Sequence, residues 1–491
     1  MRCAGRIAVL AVAAVGLLAA PAHAQVPALP SLPIPQGPAS GSGFEGAAVT
    51  PRPLRAPEPP RHPAMAPNGR SNLHEDAYQT DVHGPAGPLG RDPAVASAFY
   101  GAECASVTFD SHGRIVTVCV GVTGPTLRVL DPVTLSTIGS LVLPPRTPGD
   151  SGSIFTSFGG GGYFYLDDRG RAVVPTTTRH VYVVDVADPA QPRVVRDLDL
   201  SGAVAPGDSI ISALPDWAGR LWFVSHDGVV GWADTDSGAV HARSLGEPVG
   251  NSFAVDEEGG VYVVSDRRLY RFEAGAEGIR TVWSVGYRNT GAVKPGQTEA
   301  GSGTTPTLIG RRYVAITDNA DPMAVVVLRR DRRVRGGRRV CRVPVFARGT
   351  SATDQSLIAT PSLIVAENNF GYSGPTATEQ GRSTTPGLVG IRLRPHRCRT
   401  LWRSNETAPS VVPKLSLGAG LVYTYTKDAR SDGQDPWWFT ALDARDGTTR
   451  FRVRTGEGLG YNNNYAPVTI GPDGSAYVGV LGGIVRVADR G

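Results

Sequence analysis

The chain has 491 residues, of which 41% are hydrophobic and 7% aromatic, and its formal net charge is +5. Its 61 glycines and 40 prolines are too many for a helix-rich fold and follow no fixed period, which excludes a collagen-like chain. A charge surplus this small does not indicate nucleic-acid binding. After the N-terminus, no apolar run reaches the roughly 18 residues that cross a bilayer.

Residues 1–24 have the pattern of a secretory signal peptide. Arg2 and Arg6 precede an apolar run at 7–20 that is too short to span a membrane, and Ala-His-Ala at 22–24 provides a cleavage site. We therefore expect cleavage after Ala24 and a secreted protein, periplasmic or extracellular, that does not span the membrane. A retained anchor helix is the alternative, which the shortness of the run disfavours.

Residues 25–70 are rich in proline, with glycine, serine and alanine between the prolines. Such a segment buries too little apolar surface to offset the entropy lost on ordering. We predict a disordered linker, which would act either as a spacer or as a neutral tether.

Cys104 and Cys119 belong to the four cysteines that follow the signal peptide, an even number in an oxidising compartment. They flank two predicted strands joined by a turn. A turn centred between Ser111 and His112 places the two cysteines opposite each other, within reach of a disulfide.

From residue 100 onward, short runs rich in Val, Ile, Tyr, Leu and Trp alternate with Gly, Asp and Asn turns. No stretch keeps a 3.6-residue period, which disfavours helices. A turn between two strands recurs at intervals of roughly 40 to 57 residues, the range of four-stranded propeller blades. The eight units start near residues 104, 160, 210, 252, 305, 357, 410 and 464.

The eighth unit has only three strands before the chain ends. An unpaired outer edge exposes backbone donors and acceptors, and a ring must close to bury its blade faces. We therefore predict that a segment around residues 76–83 provides the missing strand. The predicted fold is all-β, a single eight-bladed β-propeller over residues 71–491 closed by an N-terminal strand, with seven blades as the alternative.

Residues 441–447 (Ala-Leu-Asp-Ala-Arg-Asp-Gly), followed by 448–454, resemble the repeat of quinoprotein-type propellers, the PQQ-like repeat family. Weaker similarities lie at 129–132, 231–238 and 390–393. The resemblance implies a propeller but not the quinone cofactor. Quinone-dependent dehydrogenases of that family have a vicinal cysteine pair, and no two cysteines are adjacent here, so we do not expect bound PQQ.

Cys341 and Cys398 form the remaining cysteine pair by elimination. They fall at similar places on the outer strands of neighbouring units, which diverge radially in a propeller. We favour a disulfide, with two buried free thiols or a bond through displaced loops as the alternatives.

Long polar loops collect on one predicted face of the ring. Loops that join second to third strands, and those between blades, emerge on the same face, and here they are long in the last four blades. The other face has short turns. The candidate ligand-binding residues of the polar face are Asp318, Asn319, Asp321, Glu367, Asn368, Asn369, Tyr372, Lys414, Tyr461 and Asn463.

Two chemistries suit this polar face. Carboxylate and carboxamide oxygens can bind Ca²⁺, and the candidate metal ligands are Asp318, Asn319, Glu367 and Asn368. The same groups can hydrogen-bond a glycan or another small polar molecule, with tyrosine rings as apolar platforms. The simpler interpretation is that Asn, Asp and Gly only satisfy turn geometry.

Residues 329–342 contain eight arginines on a predicted hairpin at the rim. Guanidinium groups suit phosphate or sulfate, so an anionic polymer or lipid head group is a candidate partner. A solvated hairpin tip is the competing interpretation.

No Gly-x-Ser-x-Gly, His-Glu-x-x-His, Cys-x-x-Cys or phosphate-loop motif occurs in the sequence. We therefore predict an exported propeller that binds a polar ligand or a cell-envelope protein through its polar-loop face, without PQQ. A calcium-dependent, lactonase-like hydrolase is the first alternative, and a quinone-dependent oxidoreductase is the second.

Overall fold

The computed structural model describes residues 43–122, 124–145, 159–276 and 278–490. They form eight sheets, arranged as an eight-bladed β-propeller, and the strands of each blade are antiparallel. The predicted all-β fold with eight blades is confirmed. The predicted signal peptide and linker residues 25–42 lie outside the described residues.

Three short strands precede the first complete blade: β1 (Phe44–Gly46), β2 (Val82–His83) and β3 (Pro93–Phe99). Blade 1 contains β4 (Ala102–Phe109), β5 (Ile115–Gly121), β6 (Gly124–Leu130) and β7 (Thr137–Val142). Blade 2 contains β8 (Tyr165–Leu166), β9 (Ala172–Pro175), β10 (His180–Asp185) and β11 (Arg193–Asp199). Blade 3 contains β12 (Ile210–Pro215), β13 (Leu221–Ser225), β14 (Val229–Ala233) and β15 (Val240–Ser244). Blade 4 contains β16 (Ala254–Val255), β17 (Val261–Val264), β18 (Arg268–Gly275) and β19 (Gly278–Gly286).

Blade 5 contains β20 (Thr307–Ile309), β21 (Tyr313–Thr317), β22 (Ala324–Arg329) and β23 (Arg339–Pro344). Blade 6 contains β24 (Ile358–Ala359), β25 (Leu363–Glu367), β26 (Leu388–Arg394) and β27 (Arg397–Ser404), with a 3₁₀ helix at Pro375–Thr378. Blade 7 contains β28 (Lys414–Ser416), β29 (Leu421–Thr426), β30 (Pro436–Asp443) and β31 (Thr449–Glu457), and a 3₁₀ helix, Leu459–Tyr461, follows it. Blade 8 contains β32 (Val468–Ile470), β33 (Ala476–Val480) and β34 (Gly483–Asp489). In the part of the chain that is described, no helix is both long and apolar enough to cross a membrane.

The recurring Asp-x-x-Gly turn joins the first and second strands of blades 1 to 4. In blade 4, Asp256 Oδ1 accepts hydrogen bonds from the backbone N–H groups of Glu258 (3.0 Å) and Gly260 (2.7 Å). Gly259 has φ = 77°, a left-handed conformation that glycine adopts without a steric cost. Each aspartate therefore closes its turn by satisfying backbone donors that the strands leave unpaired.

The ring closes through β3, which pairs along its whole length with β34, from Pro93 opposite Asp489 to Phe99 opposite Gly483. The prediction of an N-terminal closing strand is confirmed, but its predicted position at residues 76–83 is wrong. Left-handed residues interrupt that earlier segment and bend it away from a straight ladder, whereas β3 is an unbroken run of seven residues.

The chain enters the propeller along blade 7, in a segment that we call the N-terminal strap (residues 43–61). Strand β1 pairs with the outer strand β31. Further along, Leu54 N–H donates to Leu417 O at 2.9 Å. The predicted disorder of residues 25–70 therefore does not describe residues 43–70, because their backbone groups find partners on blade edges.

Residues 65–83 form an axial plug that lies against the first, innermost strands. Left-handed residues turn its backbone as it passes from blade to blade, with φ = 77° at Glu75, 59° at Gln79 and 56° at Asp81. It exchanges backbone hydrogen bonds with the first strands of blades 1, 2, 4, 5, 6 and 7, through Phe109, Leu166, Val255, Leu308, Ala359 and Leu415. The plug thus satisfies strand edges that the central channel would leave unpaired.

Both predicted cysteine pairs are disulfides. Cys104 lies opposite Cys119, and the two are bonded. The turn between their strands is centred half a residue later than predicted. A β-bulge after Cys104 shifts the strand register by the residue that is needed to keep the two cysteines opposite each other. Cys341 in β23 bonds Cys398 in β27, with their Cα atoms 5.9 Å apart. The outer strands of blades 5 and 6 therefore approach each other closely enough for a direct bond.

Arg330 belongs to the arginine-rich run but is buried, in contrast to the prediction of a solvated hairpin. Its Nη1 lies 2.7 Å from Asp256 Oδ2, and its Nη2 donates to the hydroxyl of Tyr78 in the plug at 3.0 Å. Arg330 therefore links the axial plug to blades 4 and 5 through a buried ion pair.

We expect Arg330→Met to lower the free energy of unfolding by about 3 kcal/mol, because it leaves the buried Asp256 carboxylate without its nearest cation. Urea denaturation measures this loss. Arg333→Met removes an exposed arginine of the same run and should change stability by less than about 0.5 kcal/mol. Equal losses in both variants would contradict the role of Arg330.

Candidate functional site

An axial pocket opens on the face that carries the inter-blade loops. Its walls come from segments that enter first strands: Tyr163 before β8, Asp354 before β24 and Asn464 before β32. Leu73 and His74 of the plug also line it. The pocket has a volume of about 60 Å³. That room suits a few waters or part of a small ligand.

Asp354 is a buried carboxylate in the wall of this pocket. Its Oδ2 accepts hydrogen bonds from the N–H (3.1 Å) and hydroxyl (2.8 Å) of Thr298. Its Oδ1 is also buried and has no hydrogen-bond partner among the described residues. Burial raises the pKa of Asp354 to about 7, despite the hydrogen bonds from Thr298 that lower it.

Asn369 positions Asp354 from behind the pocket. Its Oδ1 accepts the backbone N–H of Asp354 at 3.1 Å, and its Nδ2 donates to Glu367 Oε1 at 2.8 Å. Burial raises the pKa of Glu367 well above its usual range. The predicted site residues Glu367 and Asn369 thus support the pocket wall and do not line the pocket.

Tyr372 has a similar supporting position. Its hydroxyl lies 2.9 Å from Asn462 Oδ1 and 3.0 Å from Asn464 Oδ1. Its ring meets that of Tyr465 edge to face, with centroids 5.3 Å apart. Asn464 and Tyr465 both line the pocket, so Tyr372 sets the orientation of two wall residues.

Lys414 lies in a buried charge network with the plug. Its Nζ contacts Asp81 Oδ1 and donates to Leu73 O. His74 Nδ1 lies 3.0 Å from Asp81 Oδ2. Burial alone would raise the pKa of Asp81, but His74 and Lys414 outweigh burial and hold that pKa below its ordinary value. Lys414 therefore anchors the plug on which the pocket rests.

The other predicted residues form local hydrogen bonds in the loops. Asp318 pairs with Arg342, its Oδ2 2.7 Å from Nε, and burial raises its pKa. Asn319 Nδ2 donates to three oxygens of the 289–300 segment. Asp321 and Asn368 bind backbone groups of residues 349–352 among others. None of these residues lines the axial pocket.

Tyr461 and Asn463 also have structural contacts. Tyr461 packs edge to face against Phe99 of the closing strand, with centroids 5.2 Å apart. Asn463 Oδ1 accepts from Ser410 Oγ at 3.1 Å. Most of the predicted site residues therefore lie in the layer behind the axial pocket, and none of them lines it.

The predicted calcium ligands are engaged with other groups. Asp318 is paired with Arg342, and Glu367 accepts from Asn369 and Thr424. Within the described ranges, a different group, Asp208, His226 and Asp227, brings potential ligand atoms within 4.8 Å of one another. There, Glu299 and Asp227 raise the pKa of His226 to about 9. This histidine is a cation at neutral pH, so a metal ion would have to displace its proton.

The chain resembles several known proteins. No family model matches it. An uncharacterised protein from Archaeoglobus fulgidus is 27% identical over 321 residues, which are 58% of this chain and 62% of the relative. The chain thus spans about three fifths of the length of that curated relative.

Among solved structures, a europium-containing methanol dehydrogenase matches with a TM-score of 0.55 at 10% identity, over 84% of this chain and 89% of that chain. BamB from Moraxella catarrhalis matches with a TM-score of 0.40 at 13% identity, over 84% and 97% of the two chains. The match to the dehydrogenase shows the fold alone. The protein has the eight-bladed architecture of the quinoprotein-like propellers.

We expect Lys414→Met to lower the free energy of unfolding by about 3–5 kcal/mol, because Asp81 then remains buried without its lysine partner. Chemical denaturation measures the loss. The double variant Asp81→Asn, Lys414→Met removes both charges and should recover at least half of it. If the double variant is less stable than Lys414→Met, the unpaired Asp81 carboxylate is not the cause of the loss in the free energy of unfolding.

Proposed function

We propose that this protein is exported and binds a small amine-bearing or polyhydroxylated molecule in the axial pocket. The observation that carries the proposal is Asp354 Oδ1, a buried acceptor in the pocket wall that has no hydrogen-bond partner among the residues that the structure describes. An unpaired buried polar atom costs about 1–3 kcal/mol. A ligand that donates a hydrogen bond to this oxygen offsets that cost.

The composition of the wall supports a ligand that is polar, rich in donors and positively charged or neutral. Glu103 and Asp354 are the carboxyl groups of the pocket, and His74 is its single basic side chain among the described residues. The rings of Tyr163 and Tyr465 add flat apolar surface. Sugar-like molecules combine hydroxyl donors with apolar C–H faces, and both parts find complementary groups here.

Export is proposed from the N-terminal pattern at residues 1–24 and from the two disulfides. Disulfides persist in the oxidising compartments outside the cytosol. The two bonds, Cys104–Cys119 and Cys341–Cys398, are consistent with such a location. The ligand would then be a molecule of the periplasm or the extracellular medium.

Isothermal titration with glucosamine and with its uncharged counterpart glucose tests the ligand proposal. We expect the amino sugar to bind more tightly at pH 8, where Asp354 is ionised, than at pH 6. Asp354→Asn should weaken glucosamine binding by about tenfold or more, since charged hydrogen bonds contribute about 1.5–3 kcal/mol.

Asp318→Asn is the matched control, because Asp318 is a buried carboxylate outside the pocket. It should leave glucosamine affinity unchanged. Equal affinities for the wild type and the Asp354 variant, or the absence of binding by both sugars, would contradict the proposal.

The raised pKa of Asp354 also predicts a pH dependence of stability in the absence of ligand. The folded protein holds this proton up to about pH 7, whereas the unfolded chain releases it near pH 4. The stabilisation is therefore complete below pH 4 and is lost as the pH rises through 7. Urea denaturation of Asp354→Asn should give a stability gain over the wild type of about 2–4 kcal/mol at pH 8, and little gain at pH 4. A gain that does not grow with pH would show that the carboxyl proton is not involved.

A further inference from the structure

A second cavity, which we call the basic cleft, lies between blades 6 and 7 beside the N-terminal strap. It is separate from the axial pocket, with which it shares no lining residue. Four arginines line it: Arg55 from the strap, Arg392 and Arg394 from β26, and Arg445 from the turn after β30. No aspartate or glutamate of the described residues lines it. The cleft has a volume of about 340 Å³.

The strand register concentrates positive charge at this cleft. In the hairpin β26–β27, Arg392 lies directly opposite Arg399, and Arg394 directly opposite Arg397. Side chains alternate along a strand, so these four arginines share one face of the hairpin. The other face carries Cys398, whose disulfide faces blade 5. Like charges placed directly opposite each other destabilise a strand pair, so the fold retains an electrostatic cost here.

The charge of the cleft is largely uncompensated. The side chains of Arg55, Arg392 and Arg394 form no ion pair or hydrogen bond within the described part of the chain. By contrast, Arg330 of blade 5 pairs with Asp256, and Arg450 of blade 7 pairs with Asp443. Arg445 is the exception, since its guanidinium donates to Arg52 O at 2.6 Å and lies 3.7 Å from Asp443. That carboxylate is also shared with Arg450, 2.8 Å away.

We propose that the basic cleft binds a small molecule that carries two or more phosphate or sulfate groups. Several guanidinium groups around one concavity can donate paired hydrogen bonds to such groups. The exposed residue Ser362 lines the same cleft, and its hydroxyl can donate to a further oxygen of the anion. A concave site between two blades suits a compact anion better than a flat membrane surface. Binding would also relieve the repulsion between the opposed arginines.

Isothermal titration of the full chain with inorganic pyrophosphate at low ionic strength tests this proposal, with inorganic phosphate and glucose as comparison ligands. We expect pyrophosphate to bind more tightly than phosphate, and substitutions in the cleft to leave the response to glucose unchanged. The double variant Arg392→Gln, Arg394→Gln should weaken pyrophosphate binding at least about tenfold.

The matched control is Arg333→Gln, Arg335→Gln, which removes the same charge from exposed arginines outside the cleft. It should leave pyrophosphate affinity within about twofold. An equal loss in both double variants would overturn the proposal, because it would show that net charge alone attracts the anion. No measurable pyrophosphate binding by the wild type would overturn it as well.

Thermal unfolding without anion provides a second readout. Arg392→Gln, Arg394→Gln relieves like-charge pairs and should unfold at the same temperature as the wild type or higher. Pyrophosphate should raise the unfolding temperature of the wild type and of the control, but not of the cleft variant. Binding confined to phosphatidylglycerol vesicles, without any response to pyrophosphate, would replace the small-anion site with a membrane contact.

Discussion

Unpaired strand edges are the constraint on which this structure depends. A blade has an inner edge at the axis and an outer edge at the rim, and both carry backbone groups that need partners. The chain meets this need with its N-terminal region: β3 completes blade 8, the strap covers the outer strand of blade 7, and residues 65–83 cover inner edges around the axis. One segment of about 60 residues therefore closes, clamps and plugs the ring.

The plug also determines where the axial pocket lies. It brings His74, Glu75 and Asp81 into the channel, where Lys414 balances the charge of the two carboxylates and His74 contacts Asp81. With the axis filled at this level, the space left on the inter-blade face becomes a pocket. Its wall includes Asp354, whose position follows from hydrogen bonds to Thr298 and Asn369, contributed by different loops. The basic cleft also depends on the N-terminal region, because residues of the strap form one of its sides.

Local patterns predicted what local physics controls. Strand alternation and the turns between strands repeat at intervals of roughly 40 to 57 residues, and this was enough to predict eight blades and the Cys104–Cys119 pair. The same patterns missed the plug, because its polar residues and left-handed backbone carry no periodic signal. They also missed Asp354. Its position shortly before the buried strand Ile358–Ala359 does not distinguish it from other polar residues in the loops. The long polar loops predict Asp318 and Glu367 as ligand-binding residues. In the structure their carboxylates contact Arg342 and Asn369 instead.

Local sequence patterns were sufficient for the repeat, the strand content, the need for a closing strand and the face on which long loops collect, because each depends on neighbours close in the chain. The three-dimensional arrangement was needed to see which N-terminal segment closes the ring and which one fills the axis. The same holds for the polar residues that meet in a cavity, and for the two pairs of arginines that oppose each other beside a cleft whose described lining residues include no carboxylate. These features depend on contacts between residues hundreds of positions apart. Different segments could cover the same unpaired strand edge or pair with the same buried charge, and local sequence does not show which of them does.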